Sequence, residues 1–352
     1  MPISASDSIT LAIEHTKQQL FKPFRLGQWS KLAFVGLLAG ELGSSGFNRS
    51  NFSFPQHTGA GHSQIPGLPP VDIALLGALI TFAVVAALSI GIILLYLGSV
   101  MRFVLFDSIL LRECHIRQGW SRRLGPGWRY FVWKFLYLLV TFAAVVALIG
   151  IPLALVFSAG WYRDPKAHLP VLILGGIILF LVLLTFFIAT AVVLVLTKDF
   201  VVPQMALENI GAMEGWRRLW AMMKAEKGAY AGYIAMKIVL SMVVGVMIAI
   251  AAVIVSLIYV VPAAALGVLA ILSGKAAGLT WNAHTITLAV AVGLILLGAF
   301  LYLVSLISVP AIVFFPAYSI YFFAARYPRL NAALASASPV PQILPGAVPR
   351  PI

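Results

Sequence analysis

Apolar and polar positions follow one another along this chain in long blocks. Five runs whose central portions lack ionisable side chains lie near residues 73–101, 135–160, 169–197, 235–260 and 285–322. A helix needs about 20 mostly apolar residues to cross about 30 Å of hydrocarbon. Each run therefore predicts a transmembrane helix. Pro310 and Pro316 are expected to kink or break the last one, because proline interrupts the helical hydrogen-bond ladder.

A sixth, weaker run covers residues 29–47, where Lys31 and Glu41 leave only a short apolar centre. It either spans the membrane, with Lys31 snorkelling and Glu41 at the far interface, or forms an interfacial or re-entrant segment. The basic residues favour the span. With six spans every basic cluster falls on one side together with both termini, whereas five spans would leave the first cluster on the opposite side.

Lysine and arginine are concentrated in every second connector between the runs. The clustered residues are Lys17, Lys22, Arg25 and Lys31, then Arg112, Arg117, Arg122, Arg123, Arg129 and Lys134, then Arg217, Arg218, Lys224 and Lys227. Cytoplasmic loops retain such residues and translocated loops lose them. The pattern predicts a multi-pass protein of the bacterial cytoplasmic membrane with both termini in the cytoplasm.

Composition agrees with an all-α polytopic membrane bundle. Hydrophobic residues make up 61% of the 352 residues and charged residues 10%, and the mean hydropathy is +1.01. A soluble domain of this length needs more charge to cover its surface. The net charge of +13 lies beside the membrane runs, so it favours anionic lipid headgroups as partners over nucleic acid.

A sequence pattern repeats after the second and fourth runs. Phe103-Val104-Leu105-Phe106-Asp107 is followed by Glu113 and Gly119-Trp120, and Phe200-Val201-Val202-Pro203 is followed by Glu208 and Gly215-Trp216. Val313-Phe314-Phe315-Pro316 begins the pattern a third time, and Gly27-Gln28-Trp29 is a fainter copy. The repeat predicts up to three units, each an interfacial amphipathic helix followed by two spans. Residues 1–327 would form this membrane domain, and the proline-rich residues 328–352 a disordered cytoplasmic tail.

The candidate site residues lie in the inner connectors. We expect Arg122, Arg123, Arg217 and Arg218 to contact lipid headgroups, and Trp120 and Trp216 to anchor the protein at the interface. Glu113 and Glu208 are expected to pair with Arg112, Arg117 or Arg217, and Lys237 to snorkel from the inner end of its span.

No catalytic, metal or cofactor site is expected. Cys114, the only cysteine, cannot form an internal disulfide, and its neighbour His115 points about 100° away on a helix, which is a poor arrangement for a nucleophile and its base. His57 and His62 lie on a flexible loop without an evident third metal ligand. The absence of ionisable groups from mid-membrane positions disfavours ion-coupled transport and intramembrane catalysis.

The segment 200–239, FVVPQMALENIGAMEGWRRLWAMMKAEKGAYAGYIAMKIV, resembles the membrane domain attached to some glycerophosphoryl diester phosphodiesterases and related bacterial membrane proteins of uncharacterised function. Pro203, Glu208, Gly211, Trp216 and Arg218 occupy the positions of that family's recurring junction. The resemblance implies the membrane architecture. It carries no activity, because no part of the chain is polar or long enough to form the phosphodiesterase barrel.

Three functions remain open from the sequence. The first is a non-enzymatic module that contacts lipids or supports the assembly of an unidentified protein partner. The second is a transporter or lipid-translocating permease, which a hydrophilic groove would favour. The third is a membrane-embedded enzyme, which polar side chains clustered at one membrane depth would favour.

Overall fold

The structure is a computed structural model that describes residues 4–22, 24–41, 73–162, 166, 168–276, 278 and 282–337. Over these residues every regular element is helical. The helices are α1 Asp7–Phe21, α2 Leu26–Leu38, α3 Ile73–Leu110, α4 Ile116–Ser158, α5 Leu169–Leu196, a π-helical turn Thr197–Val201, α6 Val202–Glu208, α7 Ala212–Ala225, α8 Lys227–Ala276, α9 Ala283–Ile307, α10 Val309–Ala324 and α11 Pro328–Ala337.

Five of these helices are long and apolar enough to cross a membrane. Their apolar stretches, residues 80–97, 135–158, 169–195, 238–274 and 285–303, are called here the arms. Arm side chains are mostly exposed on the single chain: Phe82 is 73% exposed and Ile295 is 72% exposed. A soluble protein rarely exposes apolar surface on this scale. The all-α, polytopic fold class predicted from the sequence is confirmed.

All arms join one packed region, the core, at the same end of the molecule. Its centre is α10, in which 13 of 16 residues are buried, as expected of a helix that is apolar on every side. Aromatic rings fill the space around it: Phe322 lies 4.6 Å from Tyr233 between ring centroids, and Phe200 lies 5.0 Å from Tyr233. These contacts link α10 to α8 and to the π-helical turn.

The basic clusters meet at the core end. Arg112 donates to Gln18 Oε1 at 2.9 Å and thereby joins the end of α3 to α1. Arg129 donates to the Asn209 carbonyl at 2.6 Å and joins α4 to the turn after α6. The termini of the described chain, α1 and α11, lie at this end too, since Leu20 and Leu330 are both buried in the core.

The first predicted span, residues 29–47, is described only in part. Helix α2 has 13 residues, fewer than a span needs, and a Cβ on Gly98 of α3 would lie 2.7 Å from the Leu38 carbonyl. Glu41 therefore lies beside the base of α3 and contacts Arg102, not at a far interface. The predicted residues 42–47 are outside the described part of the chain.

Two further boundaries differ from the sequence predictions. The last run divides at Ser308 into α9 and α10, with Pro310 in the first turn of α10, whereas Pro316 lies inside α10 without ending it. The predicted tail begins with a helix instead: α11 covers residues 328–337, and Arg329 lies 3.3 Å from Glu208. Burial of Leu330 and this ion pair supply contacts that composition does not indicate.

The repeated pattern has a structural counterpart. A Cβ on Gly119 would lie 3.2 Å from Val104 Cγ1, and one on Gly215 would lie 2.7 Å from Val201 Cγ1. In both units the glycine before the tryptophan thus lets a helix approach the valine of the preceding Phe-Val pair. Gly27 of the faint first copy has no such contact.

Candidate functional site at the base of the arms

Charged side chains from four chain segments converge at the base of the arms. Glu41, after α2, accepts from Arg102 of α3 and from Lys198 of the π-helical turn. Arg102 also donates to the Ala39 carbonyl at 3.3 Å. Glu41 is 2% exposed and Arg102 is 8% exposed. Burial of isolated charges is unfavourable, and only such pairing makes it tolerable.

A second ion pair lies beside the first. Asp199, the residue after Lys198, accepts from Lys237 of α8 and from the Tyr233 hydroxyl at 2.9 Å. Asp199 is 2% exposed and Lys237 is 8% exposed. Glu41, Arg102, Lys198, Asp199 and Lys237 are called here the charge cluster, and it ties α2, α3, the π-helical turn and α8 together.

The π-helical turn is what brings Lys198 and Asp199 into the cluster. Single π turns within α-helices often occur at functional sites. Here the turn follows the apolar arm of α5 and carries an acid and a base in adjacent positions, each with a different partner. Trp216 of α7 supports it by donating its indole N–H to Thr197 Oγ1 at 3.1 Å.

The space beside the charge cluster is small. Arg102, Lys198 and Asp199 line a cavity of about 20 Å³ together with Pro316 and Ser319 of α10. A water molecule needs about 10–15 Å³ measured in this way. The cavity can therefore hold about one water molecule and has no room for an organic substrate. Chemically, the charged side chains neutralise one another and can be hydrated by this water molecule. These interactions hold the helices together at the base of the arms.

The four arginines predicted to contact headgroups fall into two groups. Arg123 donates twice to the Asp107 carboxylate, at 2.7 Å each, and once to the Ala206 carbonyl at 2.6 Å. Arg218 donates to Glu208 at 2.7 Å and to Glu214 at 2.9 Å. These two arginines hold the core together. Arg122 is exposed, and the Arg217 side chain is 79% exposed although it lies 2.6 Å from Glu214.

The two predicted tryptophan anchors are half-buried. Trp120 packs edge-on against Tyr96 with centroids 6.3 Å apart, and Trp216 makes the bond to Thr197 described above. Trp128 and Trp220, which lie on the same two helices as these anchors, are each 55% exposed. These two rings have the free surface that an interfacial anchor needs.

Other predicted partners were wrong. Glu208 pairs with Arg218 and Arg329 and accepts from the Tyr327 hydroxyl, because α11 returns to the core. Glu113 lies 3.8 Å from His115. Lys237 does not snorkel, since Asp199 is close enough to pair with it inside the core.

Cys114 and His115 are arranged poorly for nucleophilic chemistry. Burial raises the pKa of the Cys114 thiol, which favours the unreactive protonated form, while the His115 side chain is 61% exposed. Within the described residues no three His, Cys, Asp or Glu side chains are grouped to hold a metal ion. His57 and His62 lie outside those residues.

Sequence reasoning missed the charge cluster because its members stand at run ends, where charges are usually solvated. One signal was present. Arg102 and Asp199 each precede the Phe-Val pair of a repeat unit, and that pair is fully buried in both units. A charged residue that directly precedes a buried apolar pair is itself expected to be buried. Because Arg102 is positive and Asp199 is negative, the two copies of the repeat indicate oppositely charged side chains that are buried close to each other.

Comparison with known proteins places this architecture in a family. A family profile matches residues 3–333, which cover α1 to α10 in full and the first part of α11. The chain belongs to the family of unknown function DUF7544. No curated protein and no solved structure matches the chain. The family assignment does not test the resemblance to phosphodiesterase membrane domains, which stays a prediction.

Proposed function

We propose that this DUF7544 protein is a non-enzymatic, lipid-contacting module of the bacterial cytoplasmic membrane. The observation that carries the proposal is the division of its surface. Five arms expose apolar side chains in every direction, and all five end in a core whose rim is basic. This is the distribution expected of a protein with its arms in hydrocarbon and its rim at anionic headgroups.

Charge at the rim is strongly one-sided. Exposed basic residues at the core end are Lys17, Lys22, Arg25, Lys31, Arg117, Arg122, Arg129, Arg217, Lys224, Lys227 and Arg329. Exposed acidic residues there are Asp7, Glu14 and Glu113. Among the residues that the structure describes, eleven exposed cations against three exposed anions at this end favour an anionic surface, and the positive-inside tendency makes that surface the cytoplasmic leaflet.

The charge cluster is the observation that favours a membrane-embedded enzyme, since its polar groups share one depth. Two features support the lipid-contacting function instead. Each charge in the cluster contacts an opposite charge of the same protein, and the adjoining cavity of about 20 Å³ cannot admit a substrate. A catalytic site needs a base and a charge-stabilising group that converge on a point open to the reacting molecule.

The test separates rim arginines from core arginines. Purified protein in nanodiscs with equal phosphatidylglycerol and phosphatidylcholine should retain phosphatidylglycerol preferentially, as read by native mass spectrometry. Arg122→Gln and Arg217→Gln should each lower that retention about fivefold at low salt, at roughly 1 kcal/mol per basic residue. Both variants should keep the parent's thermal midpoint, because neither side chain is buried.

The matched controls are Arg123→Gln, which breaks the pair with Asp107, and Arg218→Gln, which breaks the pairs with Glu208 and Glu214. They should lower the thermal midpoint while the folded fraction keeps its phosphatidylglycerol preference. Equal lipid preference in the parent and in an Arg122/Arg217 double variant would contradict the headgroup role. Turnover of phospholipids or glycerophosphodiesters by the purified parent would contradict the non-enzymatic assignment.

A further inference from the structure

A groove opens where α8 leaves the core, between α1 on one side and the α9–α10 junction on the other. Its volume is about 350 Å³, within the range of about 300–1,000 Å³ found for ligand pockets. Met247 and Ile248 of α8 line it together with Pro310 and Phe314 of the junction. Apart from Thr16 and Lys17 at the α1 edge, its lining is apolar.

The groove follows from the break at Ser308. Pro310 has no backbone N–H to continue the ladder of α9, so α9 ends at Ile307 and the buried helix α10 begins at Val309. Near the centre of the core α8 and α10 are in contact, where Tyr233 stacks on Tyr318 at 5.0 Å. Further along α8, Val244 of α8 and Phe314 of α10 both line the groove.

Lys17 is the charged residue of the lining, and it lies at the basic end of the groove. It is exposed, and no carboxylate of the described residues lies within ion-pair distance of it. The nearby acid on α1, Glu14, accepts instead from Gln18 at 3.2 Å. An ammonium thus stands at the mouth of an apolar channel, which complements a molecule with one anionic end and one hydrocarbon end.

We infer that the groove binds one anionic phospholipid, with an acyl chain between α8 and the α9–α10 junction and the phosphate at the Lys17 ammonium. The inference rests on the proposed function and adds a defined site to it. The outer wall belongs to the arm of α8, where Met247 is 65% exposed, so hydrocarbon reaches the groove directly. The position of Lys17 at the rim matches headgroup depth.

The experiment uses the full chain in phosphatidylcholine vesicles doped with phosphatidylglycerol that carries a photoreactive diazirine on its acyl chain. After irradiation, labelled peptides are identified by mass spectrometry, and diazirine-bearing phosphatidylcholine is the parallel probe. Label should concentrate on residues 244–251 and 307–314. Lys17→Gln should lower groove labelling by phosphatidylglycerol about fivefold and leave labelling by phosphatidylcholine unchanged. Lys22→Gln, one residue past the end of α1 and outside the groove, should change neither.

Two filling variants, Ala251→Trp and Ile307→Trp, obstruct the groove from opposite walls. Each should abolish groove labelling by both probes at an unchanged thermal midpoint, because the added rings enter open space. Unfolding of both variants would overturn the inference by showing that no open groove exists. Label spread evenly over all faces of α8 would overturn it too, and a dimer in native mass spectrometry with an unlabelled groove would assign the groove to a second copy.

The outcomes separate this inference from the proposed function. If phosphatidylglycerol preference persists and depends on Arg122 and Arg217, while groove labelling ignores Lys17, the rim role stands and the lipid site is wrong. If the parent shows no phosphatidylglycerol preference at all, the proposed function fails. Lys17-dependent groove labelling in that case would still support the local site.

Discussion

The same helices form both the arms and the core, but the arms expose apolar side chains whereas the core buries charged ones. The arms contain no Asp, Glu, Lys, Arg or His and leave their apolar side chains uncovered, which is favourable only in hydrocarbon. The core contains buried charges and pairs each with an opposite charge. The change is abrupt along α3: Leu94 is 51% exposed, and Val100, fewer than two turns later, is fully buried.

The difference shows which part of the molecule owes its structure to tertiary contacts. The backbone N–H and C=O groups of an arm helix hydrogen-bond to one another, so the helix depends on surrounding lipid more than on contacts with other helices. The core depends on pairs of residues that are far apart in sequence, such as Glu41 with Lys198. Substitutions should therefore have large effects on stability in the core and small effects in the arms.

The largest effect is expected from the charge cluster. Asp199→Asn keeps an acceptor for Tyr233 but leaves Lys237 buried without its counter-charge, and removal of one partner of a buried pair costs about 3–5 kcal/mol. Unfolding of the variant in detergent, measured thermally, should show this loss. Leu266→Ala, at a position of the α8 arm that is 67% exposed, should change stability by less than about 0.5 kcal/mol.

The double variant Asp199→Asn/Lys237→Met shows whether the loss arises from the orphaned charge. Replacing both partners of a buried pair by uncharged groups is often nearly neutral, so much of the stability should return. An Asp199→Asn variant as stable as the parent would mean that the cluster is hydrated and that the core does not depend on it.

A smaller effect is expected where α2 meets α10. A Cβ on Gly36 would overlap the side chain of Ile312, with Ile312 Cδ1 at 2.7 Å, and overpacking a core costs about 1–3 kcal/mol. Gly36→Ala should therefore lower the free energy of unfolding by that amount. Gly27→Ala in α2 and Gly267→Ala in an arm, which have open space at the Cβ position, should be neutral or slightly stabilising. Equal effects at all three positions would show that α2 does not pack as described.

The positions of the arms along the chain could be predicted from the sequence because they depend on hydropathy alone. Runs predicted at 135–160 and 169–197 correspond to helices ending at Ser158 and Leu196. The proline break at Pro310 was also predictable, since it depends on local chemistry. Arm positions need only be apolar, so composition carries the information.

The core was not readable in the same way. The sequence predicts that Glu41 lies at a membrane interface. Nothing in the sequence near Glu41 indicates that Arg102 and Lys198 lie beside it in the fold. The pairing of Arg123 with Asp107 and of Arg218 with Glu208 also depends on which face of an amphipathic helix meets a neighbour. The sequence pattern gives the charge of such residues and their depth in the membrane, whereas tertiary packing determines which residues they pair with.

The smallest expected effect is a pH dependence that arises in the core and not in the arms. His15 is 2% exposed, its Nδ1 lies 3.0 Å from the Tyr321 hydroxyl, and burial, followed by the charge of Arg112, lowers its pKa from 6.5 to about 4. Between these two pKa values His15 therefore binds a proton in the unfolded chain and stays neutral in the folded protein. Stability from this residue is complete above pH 6.5 and is lost progressively down to about pH 4. Between pH 7 and pH 6 the loss should be about 0.7 kcal/mol. Thermal unfolding of the parent and of His15→Phe at both pH values isolates the contribution, since every other titrating group is shared. Identical pH dependence in the two proteins would mean that His15 titrates normally, and hence that water reaches the interface between α1 and α10.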